Sequence, residues 1–410
     1  MSYTNLKDIY YKDNANYNEI YYSRFHSPAT IKFPLSIKTK HENIYQLFVV
    51  ILPEFLTLIE AIEKKINMKT FLTEQNAPAA FFQDYIIKLM INEIQLTNEI
   101  EGVYSKKEEL EDALNNLDNS TIRYHFIVTK YNKLLAQPEI DLATPRDIRA
   151  MYDELLTNEI AEDDIPDGKL FRKNQVSVFS RTGSGKELHK GLYPEENIIA
   201  AINNLLMFIN DTQCSFYIKL AVIHYYLGYI HPFYDGNGRL ARFISTLLIA
   251  KEKSVFLAFK LSKIIKENIK KYDDNFDLAN SEYNKGDLTS FVLMFLNILN
   301  DGGKEIINEM EYYTNRIKQV TNFLENTELL NTDIEKNIIF LAYQTEILDI
   351  ALTVKSIANY LGKSIDTSRK HVNSLIKKGY IERGLDGNHS LLKLTEKIKK
   401  EINKRNLREV

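Results

Sequence analysis

The 410 residues include 44% hydrophobic and 26% charged side chains, nine prolines and a formal net charge of −3. That composition excludes a disordered chain and supplies no global field to draw the protein to nucleic acid or an acidic membrane, while the length suits two or three domains. A single cysteine, Cys214, excludes an intramolecular disulfide and fits a reducing compartment, and the opening MSYTNLKDIYYKDNANYN is too polar for a signal peptide, so the expected location is cytoplasmic.

In chain order, the first apolar run is YQLFVVILPEFLTLIEAIEKK, interrupted by Pro53, Glu54, Glu60 and Glu63. It reads as core helices rather than a membrane span, and residues 1–80 read as a helical extension. From 81 to 101, Phe82, Tyr85, Ile86, Leu89, Met90 and Ile94 recur at helical spacing, and Gly102 is placed to end the helix. Ser105 and Glu108 have capping-box spacing before ELEDALNNL, and Thr144, Pro145 and Asp147 read as the cap and acidic first turn of a helix running to about Thr157. Between 166 and 193 the texture changes: QVSVFS, RTGSGKEL and HKGLY predict two short strands around a glycine turn. Helices resume at Pro194 and continue to about Asn300, and a charged helix from Lys304 to Glu325 forms a connector over 303–332.

Residues 333–410 carry fifteen Lys or Arg against ten Asp or Glu, a local charge of +5 that leaves −8 on the rest of the chain. Such asymmetry suggests a separate module with its own partner. Helices over Glu335–Ala342, 353–362 and 366–379, followed by two strands around Asp386-Gly387-Asn388, predict a winged helix-turn-helix. Its third helix offers Arg369, Lys370, His371, Asn373, Lys377 and Lys378, and its wing Arg383, Asn388, His389 and Lys393. These suit a DNA groove, or equally a basic face for protein contacts or dimerisation.

The stretch with most chemistry is GYIHPFYDGNGRLARFIS, residues 228–245. An apolar helix breaks at Pro232 and a new one is expected from about Leu240. Gly236 and Gly238 let backbone N–H groups turn inward as an anion nest, and the following helix aims its N-terminal dipole at the same spot. Asn237 adds an amide donor, and Arg239 and Arg242 present forked donors suited to phosphate. Asp235 is a hard oxygen ligand of the kind Mg²⁺ takes beside substrate phosphates, and His231 can accept a proton near neutral pH. His224, on the same helical face as His231, reads as a core histidine.

HPFYDGNGRLAR resembles the signature of the Fic family at every fixed position, and AVIHYYLGYI and KGDLTSFVLMFLNIL resemble the helices on either side of it. The resemblance covers about residues 80–300 and implies a helical Fic fold with a hairpin flap, placed at 81–302, ahead of the predicted winged helix. What it implies for activity is transfer of AMP from ATP to a Tyr, Thr or Ser hydroxyl of a target protein. His231 would be the base and Asp235 would hold Mg²⁺. Asn237 and the N–H groups of Gly236, Gly238 and Arg239 would cradle the phosphates, with Arg239 and Arg242 fixing the β and γ groups.

TNEIEG, Thr97 to Gly102, resembles the family's inhibitory motif, which implies a bidentate pair between Glu101 and Arg242 that keeps the enzyme off. The same Glu101 could orient a water for AMP removal. By resemblance the hairpin is a target-clamping flap, with Lys186, His189 and Tyr193 as contacts; GSGK lacks the spacing of a phosphate loop. For the base, the resemblance offers Tyr272, Phe276 and Asn284 without choosing among them, so UTP or another donor stays open. Self-modification and a homodimer are further expectations without residues of their own. A nucleotide-sensing DNA-binding regulator is the alternative from another class.

Overall fold

The structure, a computed structural model, describes residues 3–66, 79–136, 142–181, 185–210, 214–386 and 389–404. The chain divides into two units, Met1–Asn67 with Leu89–Glu305, and Met68–Lys88 with Ile306–Val410. Among the described residues no helix is long and apolar enough to cross a membrane.

The N-terminal segment is not all helix. After α1 (Leu6–Lys12) and α2 (Tyr17–Phe25) come two antiparallel strands, β1 (Thr30–Lys38) and β2 (Ile44–Val50). Phe33, Leu35 and Ile37 are buried on alternate positions of β1, a period of two that no helix could satisfy. The apolar run read above as helices therefore splits: its first residues form β2, and α3 (Pro53–Ile66) begins at the proline that would end a strand. The hairpin is fastened by the Tyr229 hydroxyl, which accepts from Lys38 N (2.6 Å), and by the Tyr226 hydroxyl, which donates to Ser36 O (3.0 Å).

The helices that follow are α4 (Ala79–Ile100), α5 (Lys107–Asn115), α6 (His125–Ala136) and α7 (Pro145–Leu156). Helix α7 starts as expected, with Asp147 accepting from Thr144 N (2.7 Å). The cap of α5 is shifted by one residue: Glu109, not Glu108, reaches back to the N–H of Lys106, because Ser105 is buried against Asn98. Strands β3 (Ser177–Phe179) and β4 (Glu187–Lys190) make the predicted hairpin, with an irregular register between Val178 and Phe179.

Next come α8 (Glu195–Asn210), α9 (Phe216–Ile230), α10 (Asn237–Glu252), α11 (Val255–Ala258), α12 (Leu261–Glu267), α13 (Ile269–Asn280) and α14 (Thr289–Asn326). Helix α9 is apolar on nearly every side and buried on nearly every side, which makes it the centre of this unit. Helix α14 runs unbroken through Gly302 and Gly303, so no separate connector helix begins at 304. A Cβ at Gly303 would lie 3.1 Å from the Lys65 side chain. The glycine serves close packing there rather than a helix end.

The second unit adds α15 (Asp333–Ile347), α16 (Val354–Leu361), α17 (Ile365–Lys377), strands β5 (Ile381–Asp386) and β6 (His389–Leu394), and α18 (Glu396–Lys404). Gly362 closes α16 at φ +61° and Ser364 caps α17 two residues later, which makes the expected tight turn. Ile338, Ile357, Val372, Leu375, Ile381 and Leu394 share one core. Helix α18, which buries Ile398 and Ile402 on that core, was not foreseen. Asn388 of the expected wing lies outside the described residues.

Candidate active site

His231 ends α9 in a left-handed conformation, φ +50°, which costs a non-glycine residue about 1–2 kcal/mol. Arg172 holds it there. This fully buried guanidinium donates to His231 O (2.9 Å), Leu192 O (2.8 Å) and Asn174 O (2.5 Å), and so ties the loop to the strand–helix connections beside it. Phe233 anchors the loop as expected: it is fully buried and stacked on Tyr152 at 3.6 Å between ring centres. Burial, reinforced by neighbouring His189 and by the positive charges of Arg172 and Arg181, brings the His231 imidazole down to about 3, with Glu101 opposing in part. The ring is neutral at physiological pH and can accept a proton.

Helix α10 begins at Asn237, three residues earlier than expected, because Gly236 takes the cap position at φ +78°. A side chain there would also collide with Leu156, at 2.3 Å from its Cδ1. Gly238 and Arg239 thus belong to the first helical turn, where free N–H groups and the dipole favour an anion. Asn237 closes its own loop: its Oδ1 accepts from Phe233 N (2.9 Å) and its Nδ2 donates one of its two hydrogens to Phe233 O (2.8 Å).

Asp235 accepts from Gly236 N (2.6 Å) and pairs with Arg239 Nη2 (3.0 Å), while its side chain stays 43% exposed. Arg239 is 1% exposed, and its Nε and Nη1 have no hydrogen-bond partner. Such donors can serve an anionic ligand placed at the start of α10. Among the described residues no cluster of three His, Cys, Asp or Glu could hold a metal ion. One exposed carboxylate beside an anion site is nevertheless the donor set that Mg²⁺ uses when phosphates and water complete its shell.

The last turns of α4 meet this site. Arg242 donates from Nε to Thr97 Oγ1 (2.7 Å) and from Nη2 to Thr97 O (2.9 Å), and Nη2 lies 2.8 Å from Glu101 Oε1. The bidentate pair expected from sequence does not form, because Thr97 takes one edge of the guanidinium. Arg181, on the hairpin, stands 3.7 Å from the same carboxylate oxygen. Burial alone would raise the Glu101 carboxyl, but Arg242 and Arg181 outweigh it and hold it at about 2. Gly102 follows at φ +75° and turns the chain away.

Of the aromatic candidates, Tyr272 is at the site. Its hydroxyl donates to His224 Nε2 (2.8 Å), whose Nδ1 bonds Ser245 (2.9 Å), and the Arg181 guanidinium lies 5.7 Å from its ring centre. His224 is the satisfied core histidine expected of it. Phe276 packs into the space beside Gly228, against α9. Asn284 is not brought to the loop: it is buried in its own turn, donating to Asp287 O (2.6 Å).

On the hairpin, Lys186 is exposed and pairs with Asp277 (2.9 Å), and Tyr193 is exposed. His189 turns inward instead of toward a target. Its Nε2 donates to Tyr229 O (2.6 Å), an otherwise free carbonyl at the end of α9, and burial pushes the ring down to about 4. Arg172, Arg181 and Asp273 escaped the sequence reading because nothing in their local spacing marks them.

Fold and loop together define a helical domain that holds an anion-binding helix N-terminus beside a neutral histidine. Residues 142–249 match the Fic/DOC family model, a span that contains α7 to most of α10 with His231, Asp235, Arg239 and Arg242. That stretch of the chain is therefore similar to the Fic/DOC family domain. In three dimensions it is similar to a Fic family protein from Desulfovibrio desulfuricans G20, at 22% identity and a TM-score of 0.52, over 84% of this chain and 97% of that one. Similarity to Fic-1 from C. elegans is weaker, at 20% identity and a TM-score of 0.41 over 63% of this chain and 76% of that one. The fold is the mainly helical Fic fold. No curated protein sequence matches the chain.

Proposed function

We propose that the protein transfers AMP from ATP to a hydroxyl side chain of a target protein and that Glu101 holds it inactive. The observation that carries this reading is the position of Glu101. Its carboxylate sits on the first turn of α10 and on Arg242, where the phosphates of a nucleotide would be expected to lie. A built-in anion there stands in for part of the ligand and leaves a bound triphosphate misaligned.

With Glu101 withdrawn, Arg239 and Arg242 bind the phosphate chain and the N–H groups of the first turn orient it. His231 takes the proton of the target hydroxyl. The oxygen then attacks the α-phosphorus, the bond to the β-phosphate breaks, and pyrophosphate leaves. Asp235 is the residue that would hold Mg²⁺, whose chemistry is to neutralise phosphate charge. The hairpin beside His231 would present the target segment, with Tyr193 its free contact, and Tyr272 would wall the base. The Glu101 carboxylate is already engaged by Arg242 and Arg181, which favours its inhibitory role over AMP removal.

The test is incubation with Mg²⁺ and ATP labelled at the α-phosphate. Label on protein with Glu101→Gly, little with wild type and none with Glu101→Gly/His231→Ala is the expected result. Nucleotide bound by Glu101→Gly without any label transfer would remove the transferase reading.

For the second unit, we propose a winged helix whose α17 contacts duplex DNA. The exposed side chains of Arg369, Lys370, Asn373 and Lys377 support it, whereas Lys378 is engaged by Glu335 (2.7 Å). Affinity for duplex DNA should fall steeply with salt and lose slope in Lys370→Ala/Lys377→Ala; salt-independent binding would discard the reading.

A further inference from the structure

Arg181 lies two residues beyond β3, and both edges of its guanidinium are turned inward. One edge is saturated: Nη1 donates to Asp273 Oδ1 (3.0 Å), while Oδ2 of the same carboxylate accepts from Arg181 N (2.7 Å) and Ser180 Oγ (2.9 Å). Asp273 is 2% exposed, so this end of the hairpin is clamped to α13. The other edge faces the site. Nε is buried, makes no hydrogen bond, and stands 3.7 Å from Glu101 Oε1.

Arg181 and Arg242 therefore share one carboxylate, which comes from the residue just after α4 and so from a part of the chain that carries neither arginine. Taking Glu101 away leaves two guanidiniums facing one vacated anion position at the start of α10. Arg181 cannot relax to solvent to relieve this, because Asp273 fixes it through both backbone and side chain. A buried Nε–H without a partner gains most from an acceptor with full negative charge.

We propose that Arg181 is a third phosphate-binding residue of the site, taking the phosphate chain of the nucleotide at the position Glu101 now fills. The proposal rests on the nucleotide reading above and deepens it, giving the hairpin a ligand-binding role besides target docking. Asp273 is its positioning residue. Lysine could not replace Arg181, since only the forked guanidinium can bond Asp273 with one edge and the ligand with the other.

The experiment uses the full chain with Glu101→Gly as background and measures, by calorimetry, binding of Mg²⁺-ATP, inorganic tripolyphosphate and adenosine. Adding Arg181→Gln should weaken ATP and tripolyphosphate at least tenfold and leave adenosine within about twofold, with Arg181→Lys recovering little. Unchanged affinity for both phosphate ligands would overturn the proposal, as would an equal loss for adenosine, which would mean a merely structural role. If ATP fails to bind the background protein while tripolyphosphate binds, the nucleotide reading falls and Arg181 is judged on tripolyphosphate alone. If neither binds, both are overturned. Should Arg181→Gln not fold, Arg181→Lys is judged by the same criteria.

Discussion

Glu101 Oε1 would lie 2.0 Å from a Cβ built at Gly238, so the carboxylate just after α4 and the second residue of α10 occupy space that only a glycine permits them to share. The proposed brake would thus be a matter of shape as well as charge. It depends on position 238 having no side chain as much as on Arg242 having a positive one.

That relationship predicts a coupling. Gly238→Ala should destabilise the wild type by about 1–3 kcal/mol through overpacking against Glu101. In Glu101→Gly the same change should be neutral or stabilising by up to about 1 kcal/mol, because alanine is the better helix former. Urea denaturation of the four proteins measures it. Equal losses in both backgrounds would show that Glu101 does not fill that space.

The state of His231 sets the pH dependence. Its imidazole is held at about 3, below its ordinary value, so it is already deprotonated throughout pH 5–8. Removing Glu101 takes away the neighbour that raises it. For Glu101→Gly, kcat/KM, which reports the free enzyme, should show no acidic limb from this group in that range. A tenfold fall between pH 6.5 and 5.5 would mean an ordinary histidine.

Glu93 lies two turns before Glu101 on α4, fully buried, accepting from Ser262 N (2.9 Å) and Ser262 Oγ (2.5 Å). Burial raises its carboxyl to about 7, against which the Ser262 bonds and Arg242 work. A raised folded value means that the native state holds the proton more tightly. The stability it confers is full below the unfolded value near 4.5 and is lost as pH rises through about 7. Glu93→Gln should therefore gain stability over wild type between pH 5 and 8, by a difference on the order of 3 kcal/mol at most. Thermal melts at the two pH values check this; a wild type that becomes more stable relative to the variant with rising pH would contradict it.

Asn237 makes both of its bonds to Phe233, so its loss should act on loop shape. Asn237→Ala leaves Phe233 N and O without partners and should cost about 1–3 kcal/mol of stability. In the Glu101→Gly background, kcat should fall more than KM rises, because the phosphate ligands are untouched while His231 is displaced. A purely KM effect would return Asn237 to the role of phosphate donor.

Much of the local plan was legible. The cap at Thr144, the turn at Gly362 to Ser364 and the hairpin over 177–190 all rest on contacts within a few residues, and the sequence carries those in its spacing. Less legible were β1 and β2, whose alternation competes with an apolar run that fits either period. The unbroken course of α14 was hidden too, since Gly303 signals a helix end locally and close packing only in three dimensions.

For the site, the sequence by itself determined the course of the loop from His231 to Arg242, because the fixed φ of Pro232 and the left-handed cap at Gly236 act over short range. Tertiary structure alone decided which charges meet. Arg242 and Thr97 are 145 positions apart, and Arg181 and Asp273 are 92 apart. Whether such groups touch depends on how whole helices pack. That packing turned His189 inward, split the fork of Arg242 between two acceptors, and left Arg181 facing Glu101.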